Sequence, residues 1–260
     1  MCKNIGFILL VSCFLVGCMT SPTGRSQFIL MPDAQVNQMG LEAFDTLKKE
    51  KKISNNSQYN QMAHCISEAI VSDQPGKWEV VVFEDKSLNA FALPGNKIGI
   101  YTGMIALVDN QEQLAAVIGH EVGHVLAKHS NERASQEMAV SQGMAIIQAI
   151  GSPQSTLGQT AFGLLGVGTE YGILMPYNRI QESEADIIGA DLMAKAGFDP
   201  RQSIGLWQKM EQASSGQQPI EFLSTHPAHA TRIKDLEQHM PQAMSLYEKA
   251  KTLGKQPRCN

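Results

Sequence analysis

The residues best suited to chemistry lie in DNQEQLAAVIGHEVGHVLAKH, residues 109–129, which contains the motif HEVGH. On a helix, side chains four positions apart lie on one face, so His120 and His124 present two neighbouring imidazoles. Glu121 lies one residue further round and faces the same space. Two neutral imidazoles and a carboxylate at this spacing predict a zinc site, in which the histidines bind the ion and the carboxylate takes a proton from the attacking water.

The flanking residues favour a buried helix around this motif. Asp109 is a suitable N-cap, and Glu112 follows it at capping-box spacing. Apolar residues recur on several sides of this helix: Leu114, Val117, Ile118, Val122, Val125 and Leu126. Because buried polar groups without partners are costly, the two histidines and the glutamate predict a metal as their shared partner.

A third metal ligand must come from another segment. His129 lies about 140° round an ideal helix from His124 and is excluded from the ligand face. The metzincin pattern is also excluded, because it requires Gly at position 127 and His at position 130, where the chain has Ala127 and Ser130.

The better candidate for a third ligand is the predicted helix NRIQESEADIIGADLMAKAG. Glu182 and Asp186 are four residues apart and share a face, whereas Glu184 points away. We expect Glu182 to ligate zinc and Asp186 to accept the second N–H of a ligating histidine. The ordinary alternative for such acidic residues is a solvated helix face.

These motifs resemble the HtpX and CAAX-prenyl-protease type of gluzincin metallopeptidases. HEVGH, the segment ESEAD (residues 182–186), and NAFALPGNKIGIYTG before them occur in the order that the family shows. The resemblance implies a zincin fold with one zinc ion per chain, bound by His120, His124 and Glu182, and Glu121 as the catalytic base. Together with the lipobox described below, the resemblance implies the soluble envelope lipoproteins of the BepA, LoiP and YcaL type. The transmembrane helices of the integral-membrane members and the C-terminal helical repeat array of BepA have no counterpart in this sequence.

The segment STHPAHATR, residues 224–232, also matches a family segment. The resemblance implies catalytic roles for His226 and Arg232 at the active site. His226 could contact the zinc in a resting state or the oxyanion during turnover, although a histidine before proline on a loop is solvent-facing by default. Arg232 could stabilise the oxyanion or pair with a nearby acidic residue, Asp235 or Glu237.

The remaining patterns predict an α+β fold that is mainly helical, with a small sheet beside the motif helix. Helical spacing starts after Asp33 and recurs over residues 57–72, and β-branched and aromatic runs predict strands at Trp78–Phe83 and Ile98–Thr102. A turn at residues 94–96 would bring Asn89–Leu93 beside the second strand. We expect this edge, through Asn89, Ala90 and Phe91, to bind an extended substrate peptide, the alternative being an ordinary hairpin.

The N-terminal residues are typical of a secretory signal. Lys3 precedes an apolar run from Ile5 to Val16, too short for a comfortable transmembrane helix, and LVGC at residues 15–18 resembles the bacterial lipobox. We therefore expect cleavage after residue 17, lipid attachment to Cys18, a tether over residues 18–27, and a single domain over 28–260. In lipoproteins that this sequence resembles, the residue after the lipidated cysteine influences sorting. Met19 is not Asp, which favours transport of the protein to the outer membrane. An uncleaved anchor or an ordinary signal peptide is the alternative.

Charge and cysteine content limit the partners and the compartment. Loss of Lys3 with the signal changes the formal charge from −4 to −5, which gives no nucleic-acid-binding signature. Cys65 and Cys259 remain after processing; in an oxidising envelope they could form a disulfide, and they could equally be free.

Residues 135–176 are rich in small residues, with apolar runs at 144–150 and 161–167. This stretch is a packed helical pair or a mobile lid over the active site. A membrane hairpin is disfavoured because neither run reaches spanning length.

We expect a metalloendopeptidase, attached to the periplasmic side of the outer membrane, that cleaves misfolded or unassembled envelope proteins. The alternative is a chaperone or adaptor lipoprotein with a latent or structural zinc site. A fourth ligand from His226 would favour that alternative, because catalysis requires an open position on the metal.

Overall fold

A computed structural model describes residues 18–151, 175–214, 221–226 and 230–259. The described chain is mainly helical, with a three-stranded sheet and a two-stranded hairpin, which confirms the predicted α+β class. The helices are α1 (Asp33–Glu50), α2 (Ser57–Val71), α3 (Thr102–Leu107), α4 (Gln111–Leu126), α5 (His129–Gly151), α6 (Met175–Ala196), α7 (Gln202–Ser214), α8 (Glu221–Thr225) and α9 (Ala230–Thr252). The strands are β1 (Cys18–Thr20), β2 (Ser26–Phe28), β3 (Glu79–Phe83), β4 (Ala90–Leu93) and β5 (Lys97–Tyr101).

The larger sheet has the order β3-β5-β4, with β3 parallel and β4 antiparallel to β5. A tight turn joins β4 to β5, and Gly95 and Asn96 adopt positive φ angles of 86° and 63° there. Glycine and asparagine tolerate this left-handed conformation better than other residues. The predicted turn and hairpin are therefore confirmed, and β4 is an edge strand that packs beside α4.

Helix α4 starts at Gln111, and its N-cap is Asn110 rather than the predicted Asp109. The Asn110 side chain accepts a hydrogen bond from the backbone N–H of Gln113 at 2.9 Å. The Asp109 carboxylate pairs instead with Lys209 of α7. At the start of α1, Asp33 is likewise the first helical residue and not the cap, a position held by Pro32.

Helices α4 and α6 pack closely because small residues face each other. A Cβ built on Gly189 would lie 2.7 Å from the backbone nitrogen of His120, and one on Gly119 would lie 2.8 Å from the Gly189 carbonyl oxygen. Gly123, inside the HEVGH motif, approaches the carbonyl oxygen of Ala185 in the same way. This close approach brings the predicted third ligand on α6 to the two histidines on α4.

Residues 18–27, expected to be a tether, are folded against the body of the protein. Strands β1 and β2 form an antiparallel hairpin, and the side chains of Ser21 and Gln27 are buried. Gln27 Nε2 donates a hydrogen bond to the carbonyl oxygen of Ala127, at the end of α4. These polar side chains therefore have specific partners in the fold, and the lipid attachment of this segment stays a prediction.

The C-terminal residues contact the opposite end of α4. Gln111, its first residue, accepts a hydrogen bond from the Cys259 backbone N–H at 2.8 Å and donates one to the Pro257 carbonyl at 3.0 Å. A disulfide joins Cys259 to Cys65 of α2, which answers the question that the sequence left open. The two ends of α4 are thus held by segments from opposite ends of the described chain.

No helix in the described ranges is both long and apolar enough to cross a bilayer. The predicted signal segment (1–17) and the apolar run at 161–167 lie outside the described residues. Helix α5 covers the run at 144–150.

Candidate metal centre

His120 and His124 of α4 and Glu182 of α6 meet at one point between the two helices. The Nε2 atoms of the two histidines are 3.0 Å apart, and the Glu182 carboxylate oxygens lie 3.4 Å from His120 Nε2 and 3.3 Å from His124 Nε2. His120 and Glu182 are buried, whereas His124 is partly exposed. The structure therefore brings together the three side chains that the motif spacing predicted.

His226, which follows the short helix α8, joins this group. Its Nδ1 lies 3.2 Å from His120 Nε2 and 3.1 Å from Glu182 Oε1. The ring stacks on Phe222, with the two centroids 4.5 Å apart, and its backbone N–H bonds to the Phe222 carbonyl. His226 thus belongs to the cluster and does not have the solvent-facing position that is the default for such a loop residue.

The spacing of these four side chains suits a shared metal ion. One ligand atom from each of His120, His124, Glu182 and His226 can be chosen so that all lie within 4.8 Å of one another. An ion with bonds of about 2.1 Å to nitrogen and oxygen separates its tetrahedral ligands by roughly 3.4 Å, close to the short distances measured here. Imidazole and carboxylate donors of this kind suit zinc.

The outer nitrogen of His120 faces a buried ion pair. Its Nδ1 lies 2.9 Å from Asp186 Oδ1, the contact that the Asp186 spacing predicted. Asp186 also accepts hydrogen bonds from Arg232 Nε and Nη2 at 2.7 and 2.8 Å. A donor on each side fixes the carboxylate, and the carboxylate favours the His120 tautomer that leaves Nε2 free for a metal.

Arg232 lies behind the ligands. Its guanidinium reaches Glu182 Oε2 at 3.1 Å and stacks on the Trp207 ring at 3.7 Å. Of the two alternatives that the sequence left open, pairing with acidic residues is observed, but the partners are Asp186 and Glu182. Asp235, one of the expected partners, accepts a hydrogen bond from Ser183.

The outer nitrogen of His124 has a different partner, His129. The two Nδ1 atoms are 2.8 Å apart, and His129 Nε2 lies 3.1 Å from Glu184 Oε2. His129 is not one of the ligands, as predicted, but it does not continue the motif helix, because α4 ends at Leu126 and Lys128 adopts a positive φ of 53°. The chain turns there, so His129 starts α5 and its ring approaches His124 from outside the ligand group.

Glu121 lies beside the cluster with one carboxylate oxygen unsatisfied. Oε2 accepts a hydrogen bond from the Ala92 backbone N–H at 3.2 Å. Among the described residues Oε1 has no hydrogen-bond partner, although His226 Nε2 lies 3.4 Å away. A buried carboxylate oxygen of this kind is expected to face a water or an ion.

The buried position of these groups shifts their proton affinities. Burial lowers the pKa of His120, but the charges of Asp186 and Glu182 outweigh it and raise the pKa to about 9. Burial holds the pKa of His124 well below its usual value and raises that of Glu121. Burial also opposes ionisation of Glu182, yet hydrogen bonds from three histidines keep its pKa low. Glu182 is therefore an anion, as a metal ligand must be.

A cleft of about 260 Å³ runs from this cluster along the edge strand β4. Tyr101 donates its backbone N–H to the carbonyl of Asn89, so the antiparallel alternation directs the main-chain groups of Ala90 and Ala92 away from β5. The Phe91 side chain packs in an aromatic cluster with Phe44, Phe83 and Tyr101. Of the three predicted substrate residues, Ala90 therefore directs its main-chain groups away from the sheet, and the Asn89 side chain pairs with Glu221.

The contact of His129 with His124 and the burial of Glu184 were not predicted from the sequence. Glu184 does point away from the metal cluster, as the helical spacing predicted, but it is only 4% exposed. It contacts His129 and the N-terminal hairpin. No local pattern marks either role, because both depend on the turn at Lys128 and on a hairpin more than 100 residues away in sequence.

Comparison with known proteins agrees with this geometry. The profile of peptidase family M48 matches residues 53–240, which is most of the chain and includes all four residues of the cluster. The chain belongs to peptidase family M48. The matched range contains both the motif helix α4 and the ESEAD segment of α6 in this M48 protein.

Curated relatives include mitochondrial and bacterial peptidases. The mitochondrial metalloendopeptidase OMA1 of Schizosaccharomyces pombe is 38% identical over 169 residues, 64% of this chain and 48% of the relative. Human OMA1 is 31% identical over 262 residues, 95% of this chain and 50% of the relative. The beta-barrel assembly-enhancing protease of Escherichia coli is 29% identical over 188 residues, 66% of this chain and 38% of the relative. This M48 protein thus spans about half the length, or less, of these relatives.

Proposed function

We propose that this M48 family member is a zinc-dependent metalloendopeptidase. The observation that carries the proposal is the convergence of His120, His124 and Glu182 on one point, with an unsatisfied oxygen of Glu121 beside them. The family match and the names of the relatives, which are metalloendopeptidases and a protease, support the same activity.

In this proposal the chain's own groups handle the protons. Zinc would be held by the two histidines and Glu182 and would supply a Lewis acid for the scissile carbonyl and the attacking water. Glu121 Oε1 accepts the proton of that water while Oε2 stays bound to the Ala92 N–H. The pKa of Glu121 is raised by burial, which makes its carboxylate a stronger base towards that proton. The protonated carboxyl then passes the proton to the leaving amine, which regenerates the carboxylate.

The proposed substrate is a polypeptide in extended conformation. A peptide laid along β4 can pair with the main-chain groups of Ala90 that face away from β5, and the neighbouring Ala92 bonds to Glu121. An extended strand edge of this kind accepts a chain that continues in either direction. Cleavage inside polypeptides is therefore favoured over removal of terminal residues.

We further propose that the protein is a lipoprotein attached through Cys18 to the outer membrane, on the periplasmic side. The lipobox-like sequence supports the anchor, and the disulfide between Cys65 and Cys259 suits an oxidising compartment. Misfolded or unassembled envelope proteins are the proposed substrates, supported by the similarity to a bacterial beta-barrel assembly-enhancing protease. Labelling with radioactive palmitate tests the anchor, since Cys18→Ser must abolish incorporation.

One observation favours a second candidate function, a chaperone or adaptor with a latent or structural zinc site. With His226 in the cluster, four side chains surround the position of the ion, which leaves no ligand position for water. In a peptidase, His226 must leave this position before the active state forms.

Digestion of unfolded casein separates the two functions. We expect zinc-dependent fragments with internal new N-termini from the wild type or from His226→Ala, and a loss of at least about 100-fold in Glu121→Gln. His239→Ala is the matched control, because His239 forms a similar pair with Asp191 away from the cluster. If neither the wild type nor His226→Ala cleaves casein, while both bind the unfolded chain, the adaptor function is correct.

A further inference from the structure

We propose that His129 is a positioning residue that fixes the orientation and tautomer of His124, and that the N-terminal hairpin holds His129 in place through Glu184. The inference rests on the proposed zinc site. It adds to that site a supporting group that the ligand motifs do not contain.

The hydrogen-bond chain permits one arrangement of protons that leaves His124 ready to bind a metal. The Glu184 carboxylate can only accept, so His129 Nε2 carries the proton between them. His129 Nδ1 then has a free lone pair and accepts the Nδ1–H of His124. His124 Nε2 is thereby left without a proton and faces Glu182 and His120.

The N-terminal hairpin in turn fixes Glu184. Arg25 Nε donates to Glu184 Oε2 at 2.8 Å, and its two terminal nitrogens bind Glu132 at 2.8 and 2.7 Å. The hydroxyls of Ser21 and Thr23 also donate to Glu184. Three donors from the hairpin therefore surround the Glu184 carboxylate, which acts as the acceptor in its contact with His129.

The two ligating histidines are therefore supported in different ways. His120 bonds directly to the Asp186 carboxylate, whereas His124 reaches a carboxylate only through a second imidazole. Loss of such a hydrogen-bond partner behind a metal-binding histidine commonly weakens metal affinity by about 10- to 100-fold. The orientation of His124 thus depends on residues 21–25 as well as on its own helix.

Zinc affinity of the full-length protein, measured by competition with a fluorescent chelator, tests the proposal without using proteolysis. We expect His129→Leu to weaken zinc binding by about 10- to 100-fold. His129→Gln should restore affinity to within about fivefold, because its amide can accept from His124 and donate to Glu184. His239→Leu, which removes a histidine paired with Asp191 elsewhere, is the matched control and should bind like the wild type.

The visible spectrum of the cobalt-substituted protein gives a second readout. The ligand-field bands should shift in His129→Leu and return in His129→Gln. Arg25→Met keeps the cluster intact and should lower zinc affinity about threefold, which covers the case in which His129→Leu fails to fold.

Three results would overturn the proposal: zinc affinity in His129→Leu within twofold of wild type, an equal loss in the His239→Leu control, or no zinc binding by the wild type. The third result would also remove the proposed function. Tight zinc binding that depends on His129, combined with no cleavage of any polypeptide, would support this inference and refute the peptidase activity alone.

Discussion

Replacement of Gly189 by alanine should separate helices α4 and α6 and weaken the metal site without altering any ligand. The added Cβ would lie 2.7 Å from the His120 nitrogen, 2.8 Å from the Gly119 carbonyl carbon and 3.0 Å from the His120 Cα. All three atoms belong to the backbone, so no side chain can rotate away. Because ordinary contacts are about 3.5 Å or longer, the helices must move apart by roughly 0.7 to 1 Å.

The cost of this movement can be set against the gain in helix propensity. Overpacking of this kind costs about 1 to 3 kcal/mol, and alanine regains about 1 kcal/mol over glycine within a helix. We expect a net loss of about 1 kcal/mol in the free energy of unfolding. The functional effect should be larger, since a displacement of about 1 Å between catalytic groups can reduce activity about 100-fold.

Gly205→Ala is the matched control for this experiment. Gly205 lies within α7, and the nearest atom to its added Cβ is Gln113 Nε2 at 4.0 Å, so the same substitution meets no obstruction. For Gly189→Ala we expect lower stability in denaturant unfolding, lower zinc affinity in chelator competition and slower casein digestion. For Gly205→Ala we expect wild-type zinc affinity and equal or higher stability. If the two variants behaved alike in all three assays, the argument that close helix contact sets the ligand distances would be refuted.

Three further perturbations have defined outcomes. Asp186→Asn should reduce zinc affinity about 10- to 100-fold, because His120 loses its charged acceptor and Arg232 loses one of its two carboxylate partners; unchanged chelator competition would contradict this. The folded-state pKa of Glu184 is about 2, below its unfolded value, so its contribution is present above about pH 4.5 and disappears as the pH falls through 2. Unfolding of the zinc-free protein at pH 6 and pH 3 should therefore show less acid destabilisation in Glu184→Gln, and an identical pH dependence in the two proteins would exclude that role. Cys65→Ser with Cys259→Ser should lower the unfolding free energy by about 5 kcal/mol, given a separation of 194 residues, and a melting temperature insensitive to reductant would argue against it.

Much of the candidate site could be predicted because its residues obey helical periodicity. The i,i+4 spacing of His120 and His124, and of Glu182 and Asp186, determines which side chains share a face whatever the tertiary structure. The turn at Pro94 likewise predicted an edge strand next to the motif helix. The helical spacing and the turn depend on local backbone geometry, which can be predicted from a single sequence.

The parts that could not be predicted depend on breaks in periodicity and on distant contacts. The position of His129 was predicted for a continuous helix. The helix ends before it, because Lys128 adopts a positive φ, and no glycine or proline in the sequence indicates this break. Composition predicted a tether at residues 18–27, whereas Arg25 and Gln27 find partners more than 100 residues away in sequence. The partners of Arg232 were wrongly sought among its sequence neighbours for the same reason.

The two ends of α4 are contacted by segments that lie far apart in sequence. Gln27 of the hairpin bonds to the Ala127 carbonyl at one end, and Cys259 bonds to Gln111 at the other. Neither contact is local, so each forms only when a long loop of chain has closed. Loss of either segment should therefore loosen one end of the helix that carries His120 and His124.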